Sequence, residues 1–183
     1  MIEMIQQIDN IILDFIYNNL RFSILDTAMT YISFLGNAGA IWILVTILLL
    51  ISKKTRYTGL LMSISLILCL LIGNVALKNL VARIRPCDIH PEVPLLIPRP
   101  TDFSFPSGHT MSSFASATVL LLNNKIWGKY AVILAVLIAF SRLYLYVHYP
   151  SDILAGMIIG ILIAINSVKI YKLIFRAKAK TSA

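Results

Sequence analysis

Charge is scarce in this sequence. Only 13% of its 183 residues are Asp, Glu, Lys or Arg, against 58% hydrophobic. That is too little charge to cover the core of a soluble domain of this length. Acids are scarcer still, eight against sixteen Lys and Arg, for a net charge of +8. There are two cysteines, Cys69 inside an apolar run and Cys87 in a polar stretch, so neither a disulfide framework nor a metal-ligand spacing is expected. Internal repeats and low-complexity segments are missing. The N-terminus has no basic leader and no small-residue cleavage site, so no removable signal peptide is expected. No stretch is long and polar enough for a separate soluble module.

What fills the chain instead is long apolar runs: Leu35–Ile51, Thr58–Leu77, His109–Leu122, Tyr130–Val147 and Ile153–Ile170. About twenty apolar residues cross a bilayer as a helix. The fold class is therefore all-α, a polytopic transmembrane helical bundle with five spans, and a sixth if the N-terminal helices cross. A single domain is expected over 1–183, with N-terminal amphipathic helices over 1–34, a transmembrane core over 35–176 and a cytoplasmic tail over 177–183.

The positive charge reads as topology rather than nucleic-acid binding. Lys53, Lys54 and Arg56 follow the first run, Lys125 and Lys129 the third, and Lys169, Lys172, Arg176, Lys178 and Lys180 the last. No acid accompanies them. With alternating spans all three clusters share one side, which the positive-inside rule makes the cytoplasm. A polybasic tail drawn to anionic lipid is a lesser reading. The acids from Asp88 to Asp152 then face outward.

Met4–Leu20 carries Ile5, Ile8, Ile11, Ile12, Phe15 and Ile16 at helical spacing, with Glu3, Asp9 and Asp14 elsewhere. This predicts an amphipathic helix at the outer membrane surface. A second helix is expected over Ser23–Phe34, broken near Gly36–Gly39. The last run holds Gly156-x-x-x-Gly160, a close-packing face for another span. The third run is short: fourteen residues rise only about 21 Å, so that helix should begin below the outer surface, in a protein-lined pocket. The loop Cys87–Phe105 contains Pro91, Pro94, Pro98 and Pro100. It reads equally as a lid and as a plain connector.

Three short motifs carry chemistry. In "KNLVARIRP", Lys78 and Arg85 are seven residues apart, near one face of a helix, and two such cations can hold one dianion. They can equally snorkel at a membrane edge. Pro86 should end that helix and push Arg85 out of helical geometry. On the same periodicity Arg83 points about 140° from Lys78 and stays outside the site. In "FPSGHT", Ser107 suits an N-cap, with Gly108 and His109 opening the short third helix. Free amides there suit an anion, and ordinary capping is the alternative. In "SRLYLYVHYPSD", Arg142 closes an apolar helix, where charge is costly and usually functional. His148 precedes Pro150, and Asp152 falls in the next helix's first turn. A carboxylate there would fix one imidazole nitrogen and leave the other as nucleophile or base. The alternative is an Arg142–Asp152 tie between helix ends. Asp88, His90 and Glu92 alternate in a loop and suit a solvated face better than a metal site. No metal and no cofactor is expected.

Taken together, Lys78-x6-Arg85-Pro86, Pro106-Ser107-Gly108-His109 and Ser141-Arg142-x5-His148-x3-Asp152 resemble the three-part signature of the type 2 phosphatidic acid phosphatases, whose superfamily also includes vanadium-dependent haloperoxidases. One departure is Tyr146, where many members have glycine; a reshaped pocket is expected from it. The resemblance implies that His148 attacks phosphorus, oriented by Asp152, and that His109 protonates the leaving oxygen. It also implies that Lys78, Arg85, Ser107, the Gly108 amide and Arg142 bind the phosphoryl oxygens, without a metal. The apolar spans disfavour a soluble haloperoxidase.

The implied function is an integral-membrane lipid phosphatase acting at the outer face of the cell membrane. Its small size resembles bacterial members that convert undecaprenyl diphosphate to the monophosphate. Phosphatidylglycerophosphate or phosphatidic acid are alternative substrates. A non-catalytic membrane binding or transport protein is the alternative of another class. The expected partner is a lipid phosphate in the membrane, with no nucleic acid and no obligate protein partner.

Overall fold

The computed structural model describes residues Ile2–Thr181, with side chains described for residues 3–171. The tail expected over 177–183 and the basic side chains from Lys172 onward fall outside the described side chains. The chain is helical: α1 (Ile2–Leu20), α2 (Ser23–Leu35), α3 (Ala40–Ile51), α4 (Arg56–Leu68), α5 (Lys78–Val81), α6 (Pro86–Ile89), α7 (Gly108–Asn123), α8 (Lys125–Tyr144) and α9 (Pro150–Thr181). A π-helix over Cys69–Leu77 joins α4 to α5.

This is a transmembrane helical bundle. Among the described residues, three segments are long and apolar enough to cross a membrane: Arg56–Ile89, Lys125–Tyr144 and Pro150–Tyr171. α2 and α3 make a fourth when taken as one span bent by 46°. The bend follows from left-handed backbone at Ala38 and Gly39, within the stretch where a break was expected. The third expected span, α7, has 16 residues, rising about 24 Å, short of a roughly 30 Å hydrocarbon core. It is the central helix, packed on α4, α8 and α9, with Met111, Ala115, Ala117 and Val119 fully buried. Around it the outer faces are apolar, as at Ile47, Ile133 and Ile158.

Gly156 and Gly160 meet α7. A Cβ at Gly160 would lie 2.4 Å from the Met111 carbonyl oxygen, and one at Gly156 would lie 2.8 Å from that of Ser107. Only glycine permits this approach. α7 and α9 therefore run parallel, while Asn124, whose side chain caps the amides of Ile126 and Trp127, turns the chain straight into antiparallel α8. One end of the bundle thus gathers Asn37, Lys78, His109, Arg142 and Asp152. The other gathers the Ser52–Thr55 turn, Asn124 and the far part of α9, where Tyr171 meets Tyr57 with ring centroids 4.9 Å apart. The basic clusters around residues 53–56 and 125–129 lie at that second end.

α1 is amphipathic in an inverted sense. Ile5, Ile8, Ile11, Ile12 and Phe15 face outward, while Asp9 is buried with Leu13 and Ile16 against the bundle.

Candidate active site

The first motif converges, but not by helical periodicity. α5 stops at Val81 because Ala82 takes left-handed backbone (φ 48°) and its amide caps the Lys78 carbonyl. Residues 82–85 are non-helical. Pro86 does not end a helix; it opens the short α6, with Arg85 extended before it (ψ 152°). Seven-residue spacing therefore does not bring Lys78 and Arg85 together. Asp102, from the Pro-rich loop, does. Its Oδ2 pairs with Lys78 Nζ and its Oδ1 accepts from Arg85 Nη2 at 2.6 Å. Arg85 also donates to the Asp102 and Phe103 carbonyls and to that of Val147. Burial alone would raise the Asp102 carboxyl, but the two cations outweigh it and hold it down at about 2.

Ser107 is the N-cap of α7, its Oγ accepting from the Thr110 amide and hydroxyl. It is fully buried, and Gly108 and His109 beside it line the cavity. The close approach that Gly108 allows is used by Asn74: a Cβ there would sit 2.7 Å from Asn74 Oδ1. His109 Nε2 lies 2.9 Å from Asn37 Oδ1, at the α2–α3 bend.

The third motif closes the site. Arg142 is buried; Nη1 donates to Ser33 Oγ, and Nε has no partner among the described residues. An Arg142–Asp152 tie does not form. His148 is fully buried among Arg85, Ser104 and Asp152, with Ser104 Oγ 3.5 Å from Nδ1. Nε2 lies 3.1 Å from Arg85 Nη1, and Nδ1 lies 3.6 Å from Asp152 Oδ2. Asp152 Oδ2 also accepts from Ser104 Oγ at 2.5 Å and from the Tyr149 amide at 2.9 Å. Burial pushes the His148 imidazole down to about 3; Asp152 opposes this, and Arg85 and Arg142 reinforce it. Nε2 faces an Arg85 N–H, which places the ring's lone pair there.

Lys78, Arg85, His109, Arg142 and His148 line one cavity of about 1040 Å³. From this cationic mouth it continues between α3 and α4 past Ile43, Ile47, Leu50, Leu66 and Ile67. Asp88, His90 and Glu92 do not gather: Asp88 pairs with Arg99, and His90 with Glu92. Tyr146 is not a lining residue. It holds positive φ (60°), which suits glycine, and its hydroxyl reaches Asp14 on α1.

Residues 56–176 match the PAP2 superfamily model. The chain belongs to the PAP2 superfamily. It is a membrane-bound hydrolase of phosphoric esters. This PAP2 phosphatase is 39% identical over 155 residues to an undecaprenyl-diphosphatase of Sulfolobus acidocaldarius, covering 84% of this chain and 73% of that protein. It is 33% identical to undecaprenyl-diphosphatase BcrC of Bacillus subtilis, over 77% and 72% of the two chains. Among solved structures, LpxE of Aquifex aeolicus is similar at a TM-score of 0.78 and 30% identity, over 88% of this chain and 95% of that one. A Bacillus subtilis PAP2-type phosphatidylglycerolphosphate phosphatase is similar at 0.74 and 28%, over 93% and 88%.

Three contributors escaped the sequence reading. Asp102 and Ser104 sit in a loop read only as lid or connector. Arg83 was set aside by a helical angle that the break at Ala82 cancels. A D-x-S tripeptide just before the "FPSGHT" stretch was the available signal.

Proposed function

We propose that this PAP2 phosphatase hydrolyses the terminal phosphate of undecaprenyl diphosphate, at the outer face of the membrane, through a phosphohistidine. The carrying observation is the continuity of the cavity. A cationic, histidine-lined mouth opens past the Asn37–Gly39 bend into an apolar groove that follows α3 to Leu50, about 15 Å by helical rise from Ala40. A phosphate head with a long hydrocarbon tail fits both parts at once. The diphosphate is favoured over phosphatidylglycerophosphate or phosphatidic acid by the named activity of the relatives at 39% and 33% identity.

In the first step, neutral His148 Nε2 attacks the terminal phosphorus and the bond to the lipid-side oxygen breaks. His109 gives that oxygen its proton. Asp152 holds His148 Nδ1–H and offsets the charge that the ring acquires. Lys78, Arg85, Ser107, the Gly108 amide and Arg142 hold the phosphoryl oxygens as charge builds on them. In the second step, water gives a proton to His109 and attacks the phosphohistidine, and inorganic phosphate leaves. No step calls on a metal.

Phosphate release from detergent-solubilised undecaprenyl diphosphate, phosphatidylglycerophosphate and phosphatidic acid, with chelator present, tests this reading. The diphosphate should show the highest kcat/KM, and His148→Ala should form no phosphoenzyme. A preference for a glycerophospholipid would move the substrate, and binding without turnover would indicate a non-catalytic protein. Strict dependence on added magnesium would overturn the metal-free chemistry.

A further inference from the structure

Arg83 lies next to the cationic clamp of Lys78, Arg85 and Arg142 yet faces away from the cavity. Nη1 donates to Asp152 Oδ1 and to Ser151 Oγ, each at 2.7 Å. Nη2 donates to Asp9 Oδ2 and to Gln6 Oε1, also at 2.7 Å. The guanidinium stacks on the Tyr149 ring, 4.0 Å from its centroid. Asp9 is only 2% exposed, and its Oδ1 accepts from the Ser151 amide at 2.9 Å. A buried ionised carboxylate is tolerated only when paired and hydrogen-bonded. Here the pairing runs in a line: Asp9 on α1, Arg83 before α6, Asp152 on α9, then His148.

The line has a consequence for His148. One oxygen of Asp152 is held by Arg83 and the other faces the imidazole. Arg83 by itself would cancel the negative charge that a phosphorylated, positively charged ring needs beside it. Asp9 cancels Arg83 in turn and leaves the trio with one net negative charge. α1 otherwise turns its apolar face outward, so its buried carboxylate is aimed at this junction and at nothing in the cavity.

We propose that Asp9 and Arg83 are positioning residues for His148, Arg83 by fixing the Asp152 carboxylate and Asp9 by balancing the charge of Arg83. The N-terminal helix is thereby part of the reacting apparatus. This rests on the reading of His148 as nucleophile.

The test measures phosphoenzyme burst rate with an activated aryl phosphate, alongside the inhibition constant of inorganic phosphate, which reports the clamp alone. Folded Asp9→Asn and Arg83→Gln should each burst about ten- to a hundredfold more slowly, the effect of losing an outer partner of a functional imidazole. Phosphate inhibition should stay within about twofold, as no clamp residue is touched. Charge coupling makes the double variant no slower than the worse single one. Ser151→Ala removes hydrogen bonds from the same junction but no charge, and should keep its burst rate. An unchanged burst rate in Asp9→Asn, multiplicative losses in the double variant, or an equal loss in Ser151→Ala would overturn the proposal. Should a single variant fail to fold, the charge-balanced double variant decides: an unchanged burst rate there overturns it, and a slowed one with phosphate inhibition kept supports it. A phosphoenzyme in His148→Ala would instead sink the nucleophile reading beneath it.

Discussion

At the scale of single residues, the two histidines differ in what surrounds them. His148 is enclosed by Arg85, Ser104 and Asp152, whereas His109 meets Asn37 at the edge of the cavity. If His109 is the acid, its loss matters most for a poor leaving group. His109→Ala should lose about a hundred- to ten-thousand-fold on a lipid monophosphate, yet still burst with nitrophenyl phosphate, while His148→Ala fails on both. A normal burst from His148→Ala with none from His109→Ala would exchange the roles. Asp102 supplies the second residue-scale prediction, because it occupies the two cations proposed to hold the phosphoryl group. Asp102→Asn removes an internal anion, and a charge-assisted hydrogen bond is worth about 1.5–3 kcal/mol. Inhibition by inorganic phosphate at neutral pH should therefore tighten about tenfold. The same change costs stability. A carboxyl depressed in the folded state stabilises above its unfolded value and loses that contribution as pH falls. The thermal advantage of the wild type over Asp102→Asn should be full at neutral pH and fade as pH drops from about 3.8 to about 2.

At the scale of elements, α7 is the reference to which the others are fitted. Its N-terminus presents Gly108 and His109, and the α9 glycines set how closely Asp152 can approach it; the Ser107 amide bonds the Asp152 carbonyl at 3.2 Å. A methyl at Gly160 meets backbone, which cannot swing aside. Gly160→Ala should cost about 1–3 kcal/mol through overpacking. It should also lower kcat by moving α9 and its Asp152, which backs His148, away from the α7 helix that carries His109. Differential scanning fluorimetry in detergent and steady-state kinetics read the two effects; an unaltered midpoint would show that the helices move apart freely. The Pro-rich loop likewise acts as an element. Leu95 and Ile97 pack against a buried cluster around Tyr144 and Val147, which fixes the loop so that Asp102 and Ser104 reach the site.

At the scale of the whole molecule, the site residues and the basic turns occupy opposite ends of the bundle. Trp127 and Tyr130, both exposed at the basic end, suit the water–lipid boundary. With that end in the cytoplasm, Glu92→Cys should react with an impermeant maleimide from outside intact cells, and Lys54→Cys only after permeabilisation. Native Cys69 and Cys87 are buried and give little background. Labelling of position 92 only from the cytoplasmic side would reverse the orientation and move the reaction to the inner face.

Much of this protein is written locally in its sequence. Apolar runs of bilayer length fix helices, because backbone in lipid must bond to itself. Ser107 caps α7 as its residue type predicts, Gly156 and Gly160 pack against a neighbour, and Arg85 is extended because a proline follows. Lys78, Arg85, His109, Arg142, His148 and Asp152 could be picked out as charges that lipid would not otherwise tolerate. The tertiary structure alone decided who touches whom. The left-handed turn at Ala82 broke the helical periodicity on which the facing of Lys78, Arg83 and Arg85 had been reckoned. Asp102 reached the clamp across 24 residues of sequence and Asp9 reached Arg83 across 74. Buried charges seek their opposites through space, and no spacing along the chain records which one the folded bundle will bring near.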